Sequence, residues 1–129
     1  MADTIRLAVT ASPSALPVIR MVLGGVAARV DLSLEELEDL YVAVEELLSA
    51  AEVQGEAPRH ELTVEVGVDG LVVNAGPFKT AGLRDSLSET ERDGFNLRTV
   101  MDNVVQSVEV CQAPDDCFSV VFVKRRGST

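Results

Sequence analysis

SLEELEDLYVAVEELLSAAEV, residues 33–53, decides how the rest of the chain is read. Ser33 followed three residues later by Glu36 is a capping box, a hydroxyl and a carboxylate that close a helix N-terminus reciprocally. Leu37, Leu40, Tyr41, Val44, Leu47, Leu48 and Ala51 then share one face at 3.6-residue spacing. Val42, Ala43, Glu46, Ala50 and Val53 form a second stripe at three- and four-residue steps. The helix is therefore expected to be covered on two sides, with the Glu46 carboxylate on the second. Glu35, Glu38, Asp39, Glu45 and Glu52 fall where water reaches them.

Upstream, Ile5, Leu7 and Val9 alternate with Arg6 and Ala8, which predicts a strand. Ser12-Pro13 supplies a capping hydroxyl and a first-turn proline. Leu16, Ile19, Leu23 and Val26 continue that helix to about Arg29, weakened by Pro17 and Gly24-Gly25. Downstream, residues 54–60 read as a turn-rich connection, with His60 a loop residue. Leu62, Val64, Val66 and Val68 alternate as a half-buried strand. Asp69-Gly70 is a hairpin turn, and Leu71-Val72-Val73 returns. A polar stretch after Phe78 reads as a long loop, with residues 79–93 a lid. Phe95–Val105 predicts a helix with Leu97, Val100, Met101 and Val104 on one face. Val108 and Val110 pair with Phe118, Val120 and Phe122 across Ala113-Pro114-Asp115-Asp116. Residues 124–129, opening Lys124-Arg125-Arg126, read as a frayed basic tail. This order, without βαβ alternation, gives one α+β domain over residues 1–129. Its layers are an antiparallel or mixed sheet and helices on one face.

The chain has 129 residues, 47% hydrophobic and 25% charged, enough for a core. Asp and Glu number 21 against 11 Lys and Arg, which excludes phosphate backbones and anionic membranes as expected partners. A basic protein surface suits this charge better. No run approaches the ~20 apolar residues of a membrane span, and the N-terminal residues do not resemble a secretory signal. A cytoplasmic protein is expected. Cys111 and Cys117 match no zinc spacing; two ordinary thiols and a redox-sensitive hairpin disulfide both remain open. A lone His60 argues against a His-dependent triad.

Three segments combine into a pattern: Ala43–Ala51 on the long helix, Val72-Val73-Asn74-Ala75-Gly76-Pro77-Phe78, and Asp93–Asp102 entering the last helix. Their order and spacing resemble the histidine-kinase-like ATPase superfamily (the Bergerat fold), and within it the anti-sigma-factor serine kinases of bacterial partner switching. The resemblance spans nearly the whole chain and is strongest at Leu97-Arg98-Thr99-Val100-Met101-Asp102.

That resemblance implies a two-layer fold with an ATP site between the long helix and the sheet, capped by the loop. The family's helix motif is a Glu, acting as base or positioning water, followed four residues later by an Mg²⁺-ligating Asn. Glu46 matches the first. The second position is Ala50, which has no oxygen for a hard cation; pairing Glu45 with Ser49 instead breaks the agreement with the apolar stripe. The adenine-binding Asp-x-Gly reads Asn74-Ala75-Gly76, an uncharged acceptor with its glycine kept. The phosphate-cradling Gly-x-Gly reads Gly94-Phe95-Asn96, with one glycine. Metal, adenine and phosphate recognition are altered together, whereas partner binding needs none of these groups. The resemblance thus implies an anti-sigma factor that sequesters a sigma factor, relieved by an antagonist, with ATP and Mg²⁺ binding weak or lost and enzyme activity disfavoured. It also implies a homodimer, and a partner surface on the first helix that includes Arg20. The alternative is an active ATP-dependent serine kinase that phosphorylates the antagonist, with Glu46 as its base.

Overall fold

The computed structural model describes residues 3–12, 14–56, 58–88 and 96–127. In chain order it contains β1 (Asp3–Thr10), α1 (Ala15–Ala28), α2 (Leu34–Val53), β2 (Arg59–Val66), β3 (Gly70–Phe78), α3 (Ala81–Ser86), α4 (Leu97–Asp102), β4 (Ser107–Ala113) and β5 (Cys117–Arg125). The five strands form one sheet in the order β1-β2-β3-β5-β4, and every pairing is antiparallel. The α+β class expected from the sequence is the class observed.

The α2 capping box is complete. Glu36 N donates to Ser33 Oγ at 3.0 Å, and Ser33 N donates to a Glu36 carboxylate oxygen at 2.8 Å. Leu40, Val44, Leu47, Leu48 and Ala51 are fully buried against the sheet. The second stripe is less covered than the spacing suggested: Ala43 is buried and Ala50 half-buried, but Glu46 and Val53 are exposed. α1 begins two residues later than the Ser12 cap implied. Its N-cap is Ser14, whose hydroxyl pairs with that of Ser12 rather than with a helix N–H.

Four stretches depart from the sequence reading. His60 is no loop residue: β2 extends back to Arg59, and His60 is 3% exposed with Nε2 2.8 Å from Glu52 Oε2. Residues 81–86, inside the expected lid loop, are helical because Leu83 and Leu87 bury one turn apart. The end of the chain is fastened rather than frayed through residue 127. Lys124 lies in β5, 4% exposed, with Nζ donating to Asp39 Oδ2 at 3.2 Å and to the Val104 carbonyl at 2.9 Å. Arg126 N donates to the Asp69 carbonyl, and Gly127 N to Glu36 Oε2 at 2.7 Å. The last helix is also shorter than Phe95–Val105, spanning Leu97–Asp102.

Gly70 is needed for a close approach: a Cβ there would meet the Lys124 carbonyl and the Arg125 Cα of β5. Cys111 stands opposite Ser119 and Cys117 opposite Ala113, and both thiols are free. Among the described residues no helix is long and apolar enough to cross a membrane.

Candidate functional site

The outer flank of α2, the end of α3 and the start of α4 enclose a cleft of about 530 Å³. Glu46, Ser49, Ala50 and Val53 line it from α2, Asp85 and Ser86 from α3, and Asn96, Leu97 and Val100 from α4. α3 reaches this position because Glu56, just beyond α2, accepts from Lys79 N at 2.8 Å and Thr80 N at 2.7 Å. Those bonds anchor the chain as it leaves β3. Asp85 and Ser86 were missed by the sequence reading; the Leu83–Leu87 spacing was the available signal for the helix that carries them.

The cleft brings together Glu46, Ala50 and Asn96, three positions singled out in the sequence. Glu46 and Ala50 lie one turn apart on the same flank, as their spacing requires. Asn96 is the N-cap of α4. Its Oδ1 accepts from Thr99 N at 2.9 Å and from Thr99 Oγ1 at 2.8 Å, and its Nδ2 donates to the Ser88 carbonyl at 3.3 Å.

Asn74 and Gly76 do not line the cleft. In β3, Leu71, Val73 and Ala75 are fully buried on the helix side, so the period-two alternation turns Asn74 to the opposite face. Asn74 is exposed there, between Thr63 of β2 and Val121 of β5. Gly76 sits at an irregularity between Ala75 and Phe78 with φ +133°, and a Cβ would press on Phe118 O and Ser119 Cα of β5 at 3.1 Å. Its glycine character thus follows from strand packing. Gly94 lies outside the described residues.

Arg20 projects from α1 on the far side of α2. Its guanidinium forms a two-bond ion pair with Glu45 and lies 4.9 Å from the Tyr41 ring centroid. Tyr41 Oη in turn donates to the Arg20 carbonyl at 3.1 Å. The hydrogen bond to Glu45, then its charge, holds the guanidinium pKa above its ordinary value. Val18, Met21 and Val42 are exposed on the same two helices, Met21 at 76%. A fixed cation among exposed apolar side chains suits a protein contact.

The donor set of the cleft is a poor match for Mg²⁺-ATP. Mg²⁺ demands several hard oxygens in octahedral array, and Ala50 offers none. Asn96 Oδ1 is engaged by Thr99. The charged side chains among the described lining residues are Glu46 and Asp85, both anionic, so none of the described lining residues offsets phosphate charge. Among the described residues, no three His, Cys, Asp or Glu side chains gather as a metal site.

No family model matches the chain. Individual relatives do. The serine-protein kinase RsbW of Bacillus subtilis is 31% identical, over 80% of this chain and 77% of its own length. That of Bacillus pumilus is 30% identical, over 79% and 76%. A solved structure of the RsbU and RsbW domains of a Mycobacterium tuberculosis protein covers 98% of this chain at TM-score 0.63 and 13% identity, a likeness of fold. The chain spans about a third of that longer protein, 35%. On the Bacillus identities and their coverage, the chain belongs to the RsbW family of anti-sigma-factor serine-protein kinases.

Proposed function

We propose that the chain is a partner-switching regulator that sequesters a sigma factor by direct protein contact, is relieved by an anti-sigma-factor antagonist, and has weak or lost ATP binding. The observation that carries this reading is Ala50. It faces the cleft one turn beyond Glu46, where catalysis of phosphoryl transfer would need a metal ligand. Such catalysis rests on positioning and on cations at the transferred group, with little else to replace them. The α1–α2 surface around Arg20 needs no nucleotide. Its exposed Met21 and Val18 supply apolar area, and the net charge of −10 favours encounter with a basic partner. In this reading the protein acts in the cytoplasm as a homodimer.

The second reading, an active kinase acting on the antagonist, draws support from Glu46, whose carboxylate lines the cleft and is exposed to it. One experiment separates the two. Each purified sigma factor of the source cell is titrated with the chain in nucleotide-free buffer, and the antagonist is then incubated with the chain and radiolabelled ATP. The proposal expects a stable sigma complex and no label transfer. Transfer abolished by Glu46→Gln would establish the kinase, and failure of every sigma factor to bind would overturn sequestration.

A further inference from the structure

β4 is the outer strand of the sheet on the α3–α4 side. Exposed edges are ordinarily blunted by lysine, proline or a bulge, because their unpaired main-chain groups invite another strand. Residues 107–113 carry none of these. Pairing with β5 runs unbroken from Ser107 opposite Val123 to Ala113 opposite Cys117, and Glu109 is the single charge in the strand.

Which groups face outward follows from three bonds. Gln106 N donates to the Val123 carbonyl, and Arg125 N to the Gln106 side chain, so the odd-numbered main-chain groups of β5 turn toward β4. With Ser107 opposite Val123, the odd-numbered groups of β4 face β5 and the even-numbered ones face away. The third bond agrees: Arg98 Nη2 reaches the Val108 carbonyl from outside at 2.8 Å. Val110 and Gln112 accordingly present their N–H and C=O groups to a groove of about 670 Å³ beside Leu87, Arg84 and Arg98.

Two side chains give that groove a preference. Val110 is 36% exposed and offers an apolar seat. The Arg84 guanidinium lies 4.8 Å over the Phe118 ring, and Phe118 is opposite Gln112, so Arg84 stands level with Gln112. Among the described residues no carboxylate pairs with Arg84, in a chain where acids outnumber bases 21 to 11. Asp85 and Glu109 at the margins disfavour a polyanion.

We propose that this edge takes an extended segment of a protein partner as a sixth strand, with an apolar side chain at Val110 and, two residues along, one carboxylate received by Arg84. Main-chain bonds supply the affinity and the alternate side chains the choice of segment. The surface uses none of Glu46, Ala50, Asn96 or Arg20, and Asp85 is the described residue it shares with the cleft beside α2.

The test is an NMR titration of the ¹⁵N-labelled chain with the peptide acetyl-Thr-Glu-Thr-Ile-Thr-amide, whose Glu falls at Gln112 when its Ile seats at Val110 in the antiparallel register of this sheet, and with its Gln counterpart. Expected are shifts and slowed exchange at the Val110 and Gln112 amides, with the Glu peptide about two- to fivefold tighter, the range of an exposed ion pair. Arg84→Gln should equalise the two peptides. Val110→Pro removes an outward N–H and no ladder bond, so its spectrum should stay folded while both peptides lose binding. Equal binding of the two peptides to the unaltered chain, shifts centred elsewhere, no shift at millimolar peptide, or full binding by the folded Val110→Pro variant would each overturn the proposal.

Discussion

Asn96 closes the N-terminus of α4 on Thr99, accepting from both its main-chain N–H and its hydroxyl. The position aligned with the second glycine of a phosphate cradle is thus occupied by a side-chain oxygen that satisfies the helix from within. A cap of this kind and a bound phosphate compete for the same N–H groups.

This competition gives a stability prediction and a binding prediction. Asn96→Ala should cost about 1 kcal/mol in urea unfolding and Asn96→Gly only a few tenths. The double variant Ala50→Asn/Asn96→Gly restores an amide oxygen for Mg²⁺ and frees the Thr99 N–H. Calorimetry should then show Mg²⁺-dependent ATP heat in the double variant and none at millimolar ATP in the unaltered chain. Micromolar binding by the unaltered chain would favour the kinase reading.

What was legible in the sequence was local. The α2 capping box and apolar face involve residues three and four apart, and both stand in the structure. The alternation of Leu71 and Val73 already required Ala75, not Asn74, to face the helices; matching Asn74 to a motif by spacing overrode that period. α3 was hidden because it is six residues long and its anchor, Glu56, lies 24 residues from Thr80. The tail was misread because Lys124 meets Asp39 across 85 residues of sequence. A basic cluster near a terminus carries no local sign of such partners.

The glycines of α1 and β3 should respond oppositely to alanine. Gly25 is in mid-helix, and a Cβ there meets nothing within 4 Å. Gly25→Ala should stabilise by about 1 kcal/mol through helix propensity. Gly70→Ala drives a methyl into the β5 backbone at Lys124 and Arg125 and should destabilise by about 2–3 kcal/mol. Paired denaturant curves with unchanged slopes check both.

Arg20 should matter to partners more than to folding. The pair with Glu45 is exposed, and such pairs contribute little, so Arg20→Ala should leave thermal unfolding nearly unchanged. If this surface holds the sigma factor, the same variant should weaken the complex about tenfold or more. The pH dependence has a definite sign. Glu45 raises the folded-state pKa of Arg20, so the contribution is complete below the unfolded value and is lost only as pH rises through the folded one. Both lie far above the physiological range. The Arg20 contribution to binding should therefore stay flat from about pH 6 to 9 while weakening with salt; a pH-dependent loss cured by Arg20→Ala would contradict this assignment.

Lys124 and Asp39 join the sheet to α2, and their energetics should be asymmetric. Nζ is buried with two acceptors, Asp39 Oδ2 and the Val104 carbonyl, whereas the Asp39 side chain is 39% exposed. Asp39→Ala leaves a buried ammonium with one acceptor and should cost about 1–3 kcal/mol. Lys124→Met keeps a buried apolar stem of similar length while returning Asp39 to water; replacing a buried ion by an apolar chain of similar shape is commonly near neutral. The double variant should then be no less stable than Lys124→Met alone, because the penalty of Asp39→Ala exists only while the ammonium is there. Urea midpoints for the two single variants and the double variant close this cycle. Additive losses would mean that the two residues act independently, and that the close of β5 onto α2 is held by the Glu36–Gly127 bond instead.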